Sequence, residues 1–292
     1  MNINEGTITT DHRTLIGVDL GGTNVRVGRV ENDIIVELKE RPISLLGMKR
    51  EIIEEVCETI QAVLTPAVSG IGIGVPSVVD VKQGIVYSVI NIPSWHEVPL
   101  KQILEDRFGL PVFVNNDANC FAMGELYYGN GRGYRHLVGL IVGTGLGAGI
   151  IVNGQLYSGA NCGAGEIGSL PYQDKTLEEY CSGQFFQREY AIEGKELCER
   201  AQRGDPQAQA IFATFGEHLG HAIMTVLYAY DPEIIVLGGS VSDAFRFFEP
   251  AMSSKLDGFV YQHVIKRYTI VPSQISNVAV LGAAALCLGG HE

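Results

Sequence analysis

Three polar residues, Asn115-Asn116-Asp117, lie between a predicted strand, Pro111 to Val114, and a predicted helix, Ala118 to Tyr128. A carboxylate at a helix N-terminus stays ionised, because the helix dipole favours negative charge there. In phosphoryl transfer to an alcohol, a carboxylate orients the hydroxyl and accepts its proton late. Asp117 can also be only a helix N-cap, which is the commoner role for its residue type. The two asparagines that precede it favour a polar ligand, such as a sugar ring with several hydroxyls.

A glycine-rich turn near the start of the chain, Asp19-Leu20-Gly21-Gly22-Thr23-Asn24, has the composition of a phosphate site. Residues without side chains let several backbone N–H groups converge on phosphate oxygens, and Thr23 adds a hydroxyl. Asp19 is a candidate for holding Mg²⁺, through water because magnesium releases its waters reluctantly. A hairpin that requires glycine only for its backbone conformation explains this turn equally well when it is considered alone.

Two further glycine-rich turns occur later in the chain. The turn within Val142 to Gly149 lies between two predicted strands and lacks the lysine of a P-loop. Leu237-Gly238-Gly239-Ser240 lies between a strand and a helix, where it would admit an adenine ring. Each turn alone is a weak signal, with a plain connection as the alternative, but two turns between paired strands can hold a triphosphate from both sides. The candidate phosphate contacts of the second turn are Gly143, Thr144, Gly145 and Gly147.

The apolar pattern predicts the elements that position these turns. Strands are predicted at Thr14 to Asp19, Val25 to Val30 and Ile34 to Leu38, and a second set starts with His136 to Val142 and Ala148 to Val152. Two copies of one α/β unit, facing each other across a cleft, fit this repeat better than one continuous sheet does. The turns that join the second and third strands of each copy are too short for a helix, which favours mixed sheets over a dinucleotide-binding fold. Helices are predicted at Met48 to Leu64, Leu100 to Phe108 and Ala118 to Tyr128, from Asp205-Pro206 onward, and at Val278 to Leu288.

The composition excludes several classes of protein. The 292-residue chain has a formal net charge of −12, so it offers no basic face to a nucleic acid backbone. Its six cysteines are scattered, which favours reduced thiols over disulfides or a zinc site. Met1 to Arg13 is too polar for a signal peptide, and no apolar run approaches the length of a membrane span. We expect a cytoplasmic protein with no nucleic acid or membrane partner.

These residues in this order resemble the sugar kinases of the repressor–open reading frame–kinase (ROK) family, from Asp19 to about Leu288. The family belongs to the two-lobed actin/hexokinase-like (ribonuclease H-like) ATPase superfamily. The resemblance implies that ATP and Mg²⁺ are the cofactors and that the γ-phosphoryl group goes to the 6-hydroxyl of glucose or a related hexose or N-acetylhexosamine. The resemblance also implies that Asp117 is the general base. It implies that the first two turns are phosphate motifs and that the third is an adenosine motif. It implies sugar contacts at Gly74, Asn91, Asn116, Glu166 and Glu178.

The resemblance also predicts how the chain is divided and assembled. We expect an N-terminal lobe of residues 1–117 with 277–292, which carries the first phosphate turn and the sugar-binding side. The C-terminal lobe, residues 118–276, would carry the other two turns and the contacts of a homodimer. Closure of the lobes would exclude water, so that ATP is not hydrolysed without a sugar.

One feature departs from the family. Its members usually carry a histidine three residues after the glutamate that matches Glu166, followed by a cysteine-rich zinc loop. This chain has Ser169 at the histidine position and Thr176 at the last cysteine position, with no cysteine in Leu170 to Lys175. Because zinc needs about four nitrogen or sulfur ligands, we predict no structural zinc. The predicted support of the loop is apolar packing of Leu170, Pro171, Tyr172 and Leu177, with Cys162 and Cys181 as bystanders.

Other interpretations remain open beside a hexose kinase. The first is a catalytically silent sugar-binding sensor of the same fold, although a sensor has no need of Asp117 together with both phosphate turns. The second is a kinase that makes an acyl phosphate. The carboxylates in the sugar pocket argue against this interpretation, because they would repel an anionic acceptor. His218 and His221 lie one turn apart on a predicted helix. We interpret them as a solvated face and not as a metal site.

Overall fold

The computed structural model describes residues 13–89 and 91–289, which fold into two units. The first unit comprises the described residues up to Gly133, the segment Gln155–Ala164 and the residues from Ile275 onward. The second unit comprises Tyr134–Gly154 and Gly165–Gln274. Each unit has its own hydrophobic core of buried aliphatic and aromatic side chains.

The elements follow the predicted alternation of strands and helices. The strands are β1 (Thr14–Leu20), β2 (Asn24–Glu31), β3 (Ile34–Pro42), β4 (Val68–Val75), β5 (Val78–Asp80), β6 (Ile85–Tyr87), β7 (Glu97–Pro99), β8 (Val112–Asn116), β9 (Leu137–Val142), β10 (Leu146–Val152), β11 (Gln155–Leu156), β12 (Pro171–Tyr172), β13 (Lys175–Thr176), β14 (Ile234–Gly238) and β15 (Thr269–Pro272). The helices are α1 (Lys49–Gln61), α2 (Leu100–Phe108), α3 (Asp117–Tyr128), α4 (Leu177–Cys181), α5 (Gly183–Tyr190), α6 (Gly194–Gln202), α7 (Pro206–Tyr230), α8 (Phe245–Leu256), α9 (Gln262–Ile265) and α10 (Val278–Ala285).

Parallel pairing in the first unit brings three strand ends to one edge of a sheet. The strand order is β3-β2-β1-β4-β8, in which β2 is antiparallel to β1 and β3, and β4 is parallel to β1 and β8. Asp19 pairs with Gly74, and Gly74 pairs with Asn115. Ligands of open α/β sheets bind at such carboxyl ends of parallel strands, so three neighbouring strands end in candidate site residues.

The second unit repeats this arrangement. Its own sheet strands have the order β10-β9-β14-β15, with β10 antiparallel to β9 and with β14 parallel to both β9 and β15. In the first unit, β2, β1, β4 and β8 have the same order and the same directions. The internal repeat predicted from the two strand–turn–strand patterns is therefore confirmed.

Helix α3 belongs to the first unit because α10 packs against it almost backbone to backbone. Gly282 of α10 lies so close to α3 that a Cβ there would overlap the carbonyl oxygen of Cys120. A Cβ at Gly72 of β4 would likewise overlap the carbonyl oxygen of Ala283. The division predicted from the sequence assigned residues 118–276 to the other lobe, whereas these contacts keep α3 with the sheet that leads into it.

Helix α7 is the core helix of the second unit. Asp205 caps its N-terminus by accepting hydrogen bonds from the N–H groups of Gln207 and Ala208, and Pro206 occupies the first position, as predicted. An 18-residue window of α7 has a mean hydropathy of 1.2, so the helix is long and apolar enough to span a bilayer. The window contains Glu217, His218 and His221, so it is not an uninterrupted apolar run. More than half of this window is buried against the unit's own core, which is the environment of a core helix.

Candidate active site

Asp117 is the first residue of α3, at the carboxyl end of β8. The N-cap of this helix is Asn116, whose Oδ1 accepts a hydrogen bond from the N–H of Ala118 at 2.8 Å. Asp117 Oδ1 lies 2.9 Å from the same nitrogen. Because Asn116 takes the capping position, the N-cap alternative does not account for a carboxylate at the next residue. Asp117 is half-buried, on the helix terminus that favours negative charge.

The segment that carries Asp117 is fixed from behind by the buried Asn115. Its Oδ1 accepts hydrogen bonds from the backbone N–H of Asn116 at 2.8 Å, from Nδ2 of Asn119 at 2.8 Å and from the thiol of Cys162 at 3.4 Å. Cys162, predicted to be a bystander, therefore contacts the side chain that supports the candidate catalytic segment. This role was missed because Cys162 is 47 residues away in the chain.

Asp19 lies near the end of β1 and is buried. Its Oδ2 accepts a hydrogen bond from Nη2 of Arg26 on β2 at 2.7 Å, and the two residues are paired across the strands. Burial raises the pKa of the Asp19 carboxyl, and the positive charge of Arg26 opposes this rise. Arg26 was not predicted as a site residue, although its cross-strand position opposite an acidic residue could have suggested it.

The first glycine-rich turn is closed by a hydrogen bond from the N–H of Gly21 to the carbonyl of Asn24, 2.9 Å long. Gly22 lies against the side chain of Asn91, the predicted sugar contact. The side chain of Thr23 is exposed, whereas Nδ2 of Asn24 donates to Glu40 at 3.0 Å. The structure therefore brings the turn and Asn91 together and directs the Asn24 side chain to a carboxylate.

Gly74 lies directly in front of the N-terminal turn of α3. A Cβ at this position would be 2.9 Å from Sγ of Cys120 and 3.7 Å from Cα of Asp117, so glycine permits the close approach. Burial raises the pKa of the Cys120 thiol, and the negative charges of Asp117 and Asp19 raise it further. Both carboxylates are thus near the same thiol, at one edge of the first unit's sheet.

The second glycine-rich turn is held by Glu178. Within the turn, the N–H of Gly143 donates to the carbonyl of Gly145 at 3.0 Å, and the N–H of Leu146 donates to Oε2 of Glu178 at 2.9 Å. Oε1 of Glu178 accepts from Nε2 of Gln184 at 3.0 Å. Gln184, which was not predicted as a site residue, also donates a hydrogen bond to the backbone of this turn. Glu178, a predicted sugar contact, is thus hydrogen-bonded to a predicted phosphate turn. In that turn Thr144 is exposed and Gly147 is half-buried.

The carboxylates Glu166 and Glu178 lie close enough to interact in the second unit. Burial raises the pKa of Glu166, and the negative charge of Glu178 raises it further. The side chain of Glu166 remains exposed to solvent. The pair therefore concentrates negative charge and hydrogen-bond acceptors at one place, which suits a neutral ligand rich in hydroxyls.

The third turn follows β14 and lies against the second turn. Gly239 has a left-handed backbone, with φ of 84°, and a Cβ there would overlap the carbonyl oxygen of Val142. The helix predicted after Gly238 begins as a 3₁₀ turn, Ser240–Ala244, and continues as α8. The candidate phosphate and adenosine turns of the second unit are therefore neighbours.

Comparison with known proteins identifies the family. The model of the ROK family matches residues 15–289. This chain belongs to the ROK family. It is 32% identical to a glucokinase of Thermotoga maritima, over 93% of this chain and 96% of that one. It is also 30% identical to an N-acetyl-D-glucosamine kinase of Pasteurella multocida, over 80% and 86% of the two chains.

The ROK fold is confirmed by similarity to solved structures. A ROK family glucokinase from Streptomyces griseus, in complex with glucose and AMPPNP, superposes with a TM-score of 0.80 at 27% identity. The match covers 94% of this chain and 98% of that one. The predicted α/β class, with mixed sheets and the actin/hexokinase-like fold, is therefore correct.

The segment where we expected other ROK members to bind zinc is a β-hairpin in this chain. β12 pairs with β13 in antiparallel register, and Gln173 between them has a left-handed backbone. Tyr172 and Leu177 pack as predicted, the latter in the core of the second unit. The prediction is wrong for Leu170 and Pro171, which are exposed. In residues 13–89 and 91–289, no group of three or more His, Cys, Asp and Glu residues is placed to hold a metal.

The histidines of α7 do not form a solvated face, so that interpretation is wrong. His218 is half-buried, and its Nδ1 lies 3.1 Å from the hydroxyl of Tyr172. Its ring also packs against those of Tyr180 and Phe185, and the ring of His221 lies 5.5 Å from that of Tyr172. The contacts come from elements 30 to 50 residues earlier in the chain, which helical spacing alone does not reveal.

Proposed function

We propose that this ROK family sugar kinase transfers the γ-phosphoryl group of ATP to the 6-hydroxyl of glucose or a related hexose, with Asp117 as general base. The observation that carries the proposal is the position of Asp117 at the N-terminus of α3, beside its N-cap Asn116 and on a segment fixed by Asn115. The names of the relatives, glucokinase and N-acetyl-D-glucosamine kinase, support the choice of a hexose.

In the proposed reaction, Asp117 orients the sugar hydroxyl towards the γ-phosphorus. A bond forms between the sugar oxygen and phosphorus while the bond to the β-phosphate oxygen breaks, and the hydroxyl proton passes to Asp117 as ADP leaves. Late proton transfer is sufficient, because the transition state is loose. The hydrogen bonds of the buried Asn115 side chain keep the segment that carries Asp117 in place during the reaction.

ATP and its cation would be held by local backbone groups, since the chain is strongly acidic. The N–H groups of Gly21–Thr23 and of Thr144–Gly147 would contact phosphates, and Gly238-Gly239-Ser240 would contact adenosine. Asp19 fits a hard cation because it presents carboxylate oxygens at the end of a strand beside the first turn. When bound, Mg²⁺ neutralises the charge that develops on the phosphoryl oxygens.

The proposed sugar contacts are Gly74, Asn91, Asn116, Glu166 and Glu178. The interaction of Glu166 with Glu178 favours a neutral acceptor, because the negative charge that raises the pKa of Glu166 would also repel a carboxylate substrate. This supports a sugar over the acid substrate of an acyl-phosphate kinase. We also retain the cytoplasm and a homodimer as proposals; sedimentation of the purified protein tests the second.

Replacement of Asp117 by Asn tests the general base. The variant keeps the size of the side chain and loses its basicity, so we expect sugar-dependent ADP release to fall by about 10²–10⁴-fold. MgATP affinity, measured by calorimetry, should change by less than about twofold. The matched control is Asp106→Asn, on the exposed side of α2, which should leave both quantities unchanged. Turnover of Asp117→Asn at the unmodified rate would refute the role.

A panel of glucose, mannose, fructose, N-acetylglucosamine and N-acetylmannosamine tests the function itself. Sugar-dependent ADP release with one or two of them is expected. Binding of a sugar without turnover of any would favour the sensor, the alternative function.

A further inference from the structure

The two proposed sugar carboxylates of the second unit lie at the two ends of one short segment. Glu166 precedes the 3₁₀ turn Ile167–Ser169, and Glu178 lies in the first turn of α4. Between them the chain forms the β12–β13 hairpin, whose base is closed by a hydrogen bond from the N–H of Leu177 to the carbonyl of Leu170, 2.9 Å long. The position of the hairpin therefore determines where both carboxylates lie.

The hairpin is attached to the core helix α7 by three ring side chains, which we call the aromatic clasp: Tyr172 of β12, Tyr180 of α4 and His218 of α7. The ring centroids of Tyr172 and Tyr180 are 5.3 Å apart, and that of His218 lies 5.8 Å from the first and 4.9 Å from the second. The hydroxyl of Tyr172 lies 3.1 Å from Nδ1 of His218. These distances are those of favourable aromatic pairs joined by a hydrogen bond.

The surroundings of the clasp favour a neutral imidazole. Burial lowers the pKa of His218, and the charge of Glu217 opposes this effect less strongly. Arg188 of α5 lies over the ring of Tyr180, with its Cζ 4.4 Å from the ring centroid, and with His221 it lowers the pKa further, while Glu189 raises it. In the tautomer that carries its proton on Nε2, the neutral ring accepts the hydrogen bond of the Tyr172 hydroxyl through Nδ1.

The hairpin also reaches the second glycine-rich turn. Thr176 caps α4 in a capping box with Glu179, so α4 starts directly from β13. From the first turn of that helix, Glu178 accepts a hydrogen bond from the N–H of Leu146 at 2.9 Å. A displaced hairpin would therefore move Glu178 and leave this N–H group without its acceptor.

We propose that the aromatic clasp is a metal-free support that positions Glu166 and Glu178 for binding of the sugar. Tyr172, Tyr180 and His218 are positioning residues in this view, since they act through the two carboxylates. The inference rests on the proposed function only for the identity of the ligand, a neutral polyhydroxyl compound. Sugar binding can be measured without turnover, so failure of the proposed phosphoryl transfer would not hide the result.

The test removes the hydrogen bond between Tyr172 and His218 in two ways, once with every ring kept and once with the imidazole ring removed. Tyr172→Phe loses only the hydroxyl, His218→Ala loses the ring, and His218→Asn places an acceptor where Nδ1 was. We expect the first two variants to raise the KM and the Kd for the sugar by about 3–10-fold, the effect of losing one hydrogen bond. The kcat should change by less than about twofold, and His218→Asn should restore sugar affinity to within about twofold. Tyr261→Phe, at an exposed tyrosine, is the matched control.

The pattern of outcomes separates positioning from mere stability. Circular dichroism and thermal unfolding establish the folded fraction of each variant, and a loss of sugar affinity at full folding, rescued by His218→Asn, supports the proposal. Unchanged sugar Kd in folded Tyr172→Phe and His218→Ala overturns it, as does an equal loss of kcat and sugar affinity that tracks the unfolded fraction. Zinc at one equivalent in the purified wild-type protein, or loss of activity with a zinc-selective chelator in excess Mg²⁺, would also overturn a metal-free support.

Discussion

The buried carboxylate of Asp19 is a residue at which function and stability oppose each other. Burial raises its folded-state pKa above the unfolded value, and Arg26 offsets only part of this effect. The folded state therefore binds the proton more tightly, and the stability that the protonated form contributes is lost as the pH rises through the folded pKa. An ionised Asp19 at neutral pH costs stability, in return for a carboxylate where we propose Mg²⁺ to be held.

Asp19→Asn should consequently raise the midpoint of thermal unfolding at neutral pH while it abolishes phosphoryl transfer. The gain should shrink as the pH falls through the raised pKa of Asp19, because the wild-type residue is then protonated as well. Calorimetric scans at several pH values between about 4 and 8 measure the difference, with Asp106→Asn as the exposed control. A lower midpoint for Asp19→Asn at neutral pH would show that the ion pair with Arg26 outweighs burial.

The residues at strand ends could be predicted, whereas their supporting contacts could not. The three residues from Asn115 to Asp117 directly follow an apolar run, and a helical pattern follows them, so local sequence is sufficient to locate them. Gln184 contacts the backbone of Thr144 from 40 residues away, and Tyr172 contacts His218 from 46 residues away. Such contacts depend on how elements pack, and no local pattern specifies them.

At the scale of elements, the close contact of α10 with α3 is a requirement for the position of Asp117. Both helices approach through small residues, and at Gly282 there is no space for a Cβ beside the carbonyl of Cys120. Gly282→Ala must therefore push α10 away from α3, and overpacking of this kind costs about 1–3 kcal/mol or more. We expect a lower midpoint of thermal unfolding and, in the folded fraction, a reduced kcat because α3 carries Asp117.

The control for this prediction is Gly194→Ala in helix α6. There an added Cβ would be 3.4 Å from the ring of Phe186, which is ordinary contact, and alanine favours the helix. This variant should unfold at the wild-type midpoint or slightly above it. Equal midpoints for the two variants, measured by circular dichroism, would mean that α10 can shift without cost.

Long elements were predictable and short ones were not. The strands β1, β4 and β9 are apolar runs, and α7 extends over 25 residues from a capping signal. The apolar pattern and the capping residues are therefore sufficient to predict these elements. The strands β5, β6 and β7, each three residues long, have too few positions to show an alternation. They form because neighbouring backbone is available to pair with them, which is a property of the folded unit.

At the scale of the molecule, the two units reach the same strand order with different sequences. What they share is a glycine-rich turn between antiparallel strands, Gly21–Thr23 in the first unit and Gly143–Gly145 in the second, followed by strands parallel to the first. The repeat was predictable because glycine and apolar runs recur in the same order, even where the helices differ in length and number.

The net charge of the whole chain determines how its stability depends on salt. With 33 acidic and 21 basic residues, the folded protein has a net charge of −12, and repulsion destabilises a compact state. Exposed ion pairs such as Arg107 with Glu54 offset little of this, since each contributes about 0–1 kcal/mol. Raising KCl from about 10 to about 150 mM shortens the Debye length from about 30 to about 8 Å, and the midpoint of unfolding should rise by about 1–3 °C.

Chloride is the right anion for this measurement because sulfate would stabilise the protein by exclusion from its surface. The same titration near the pI of about 5.1 is the control, since repulsion vanishes when the net charge is near zero. There the midpoint should not rise with salt. A fall of the midpoint with KCl at neutral pH would mean that favourable ion pairs, such as those of Arg29 with Glu31 and Glu37, dominate the electrostatic free energy of the folded chain.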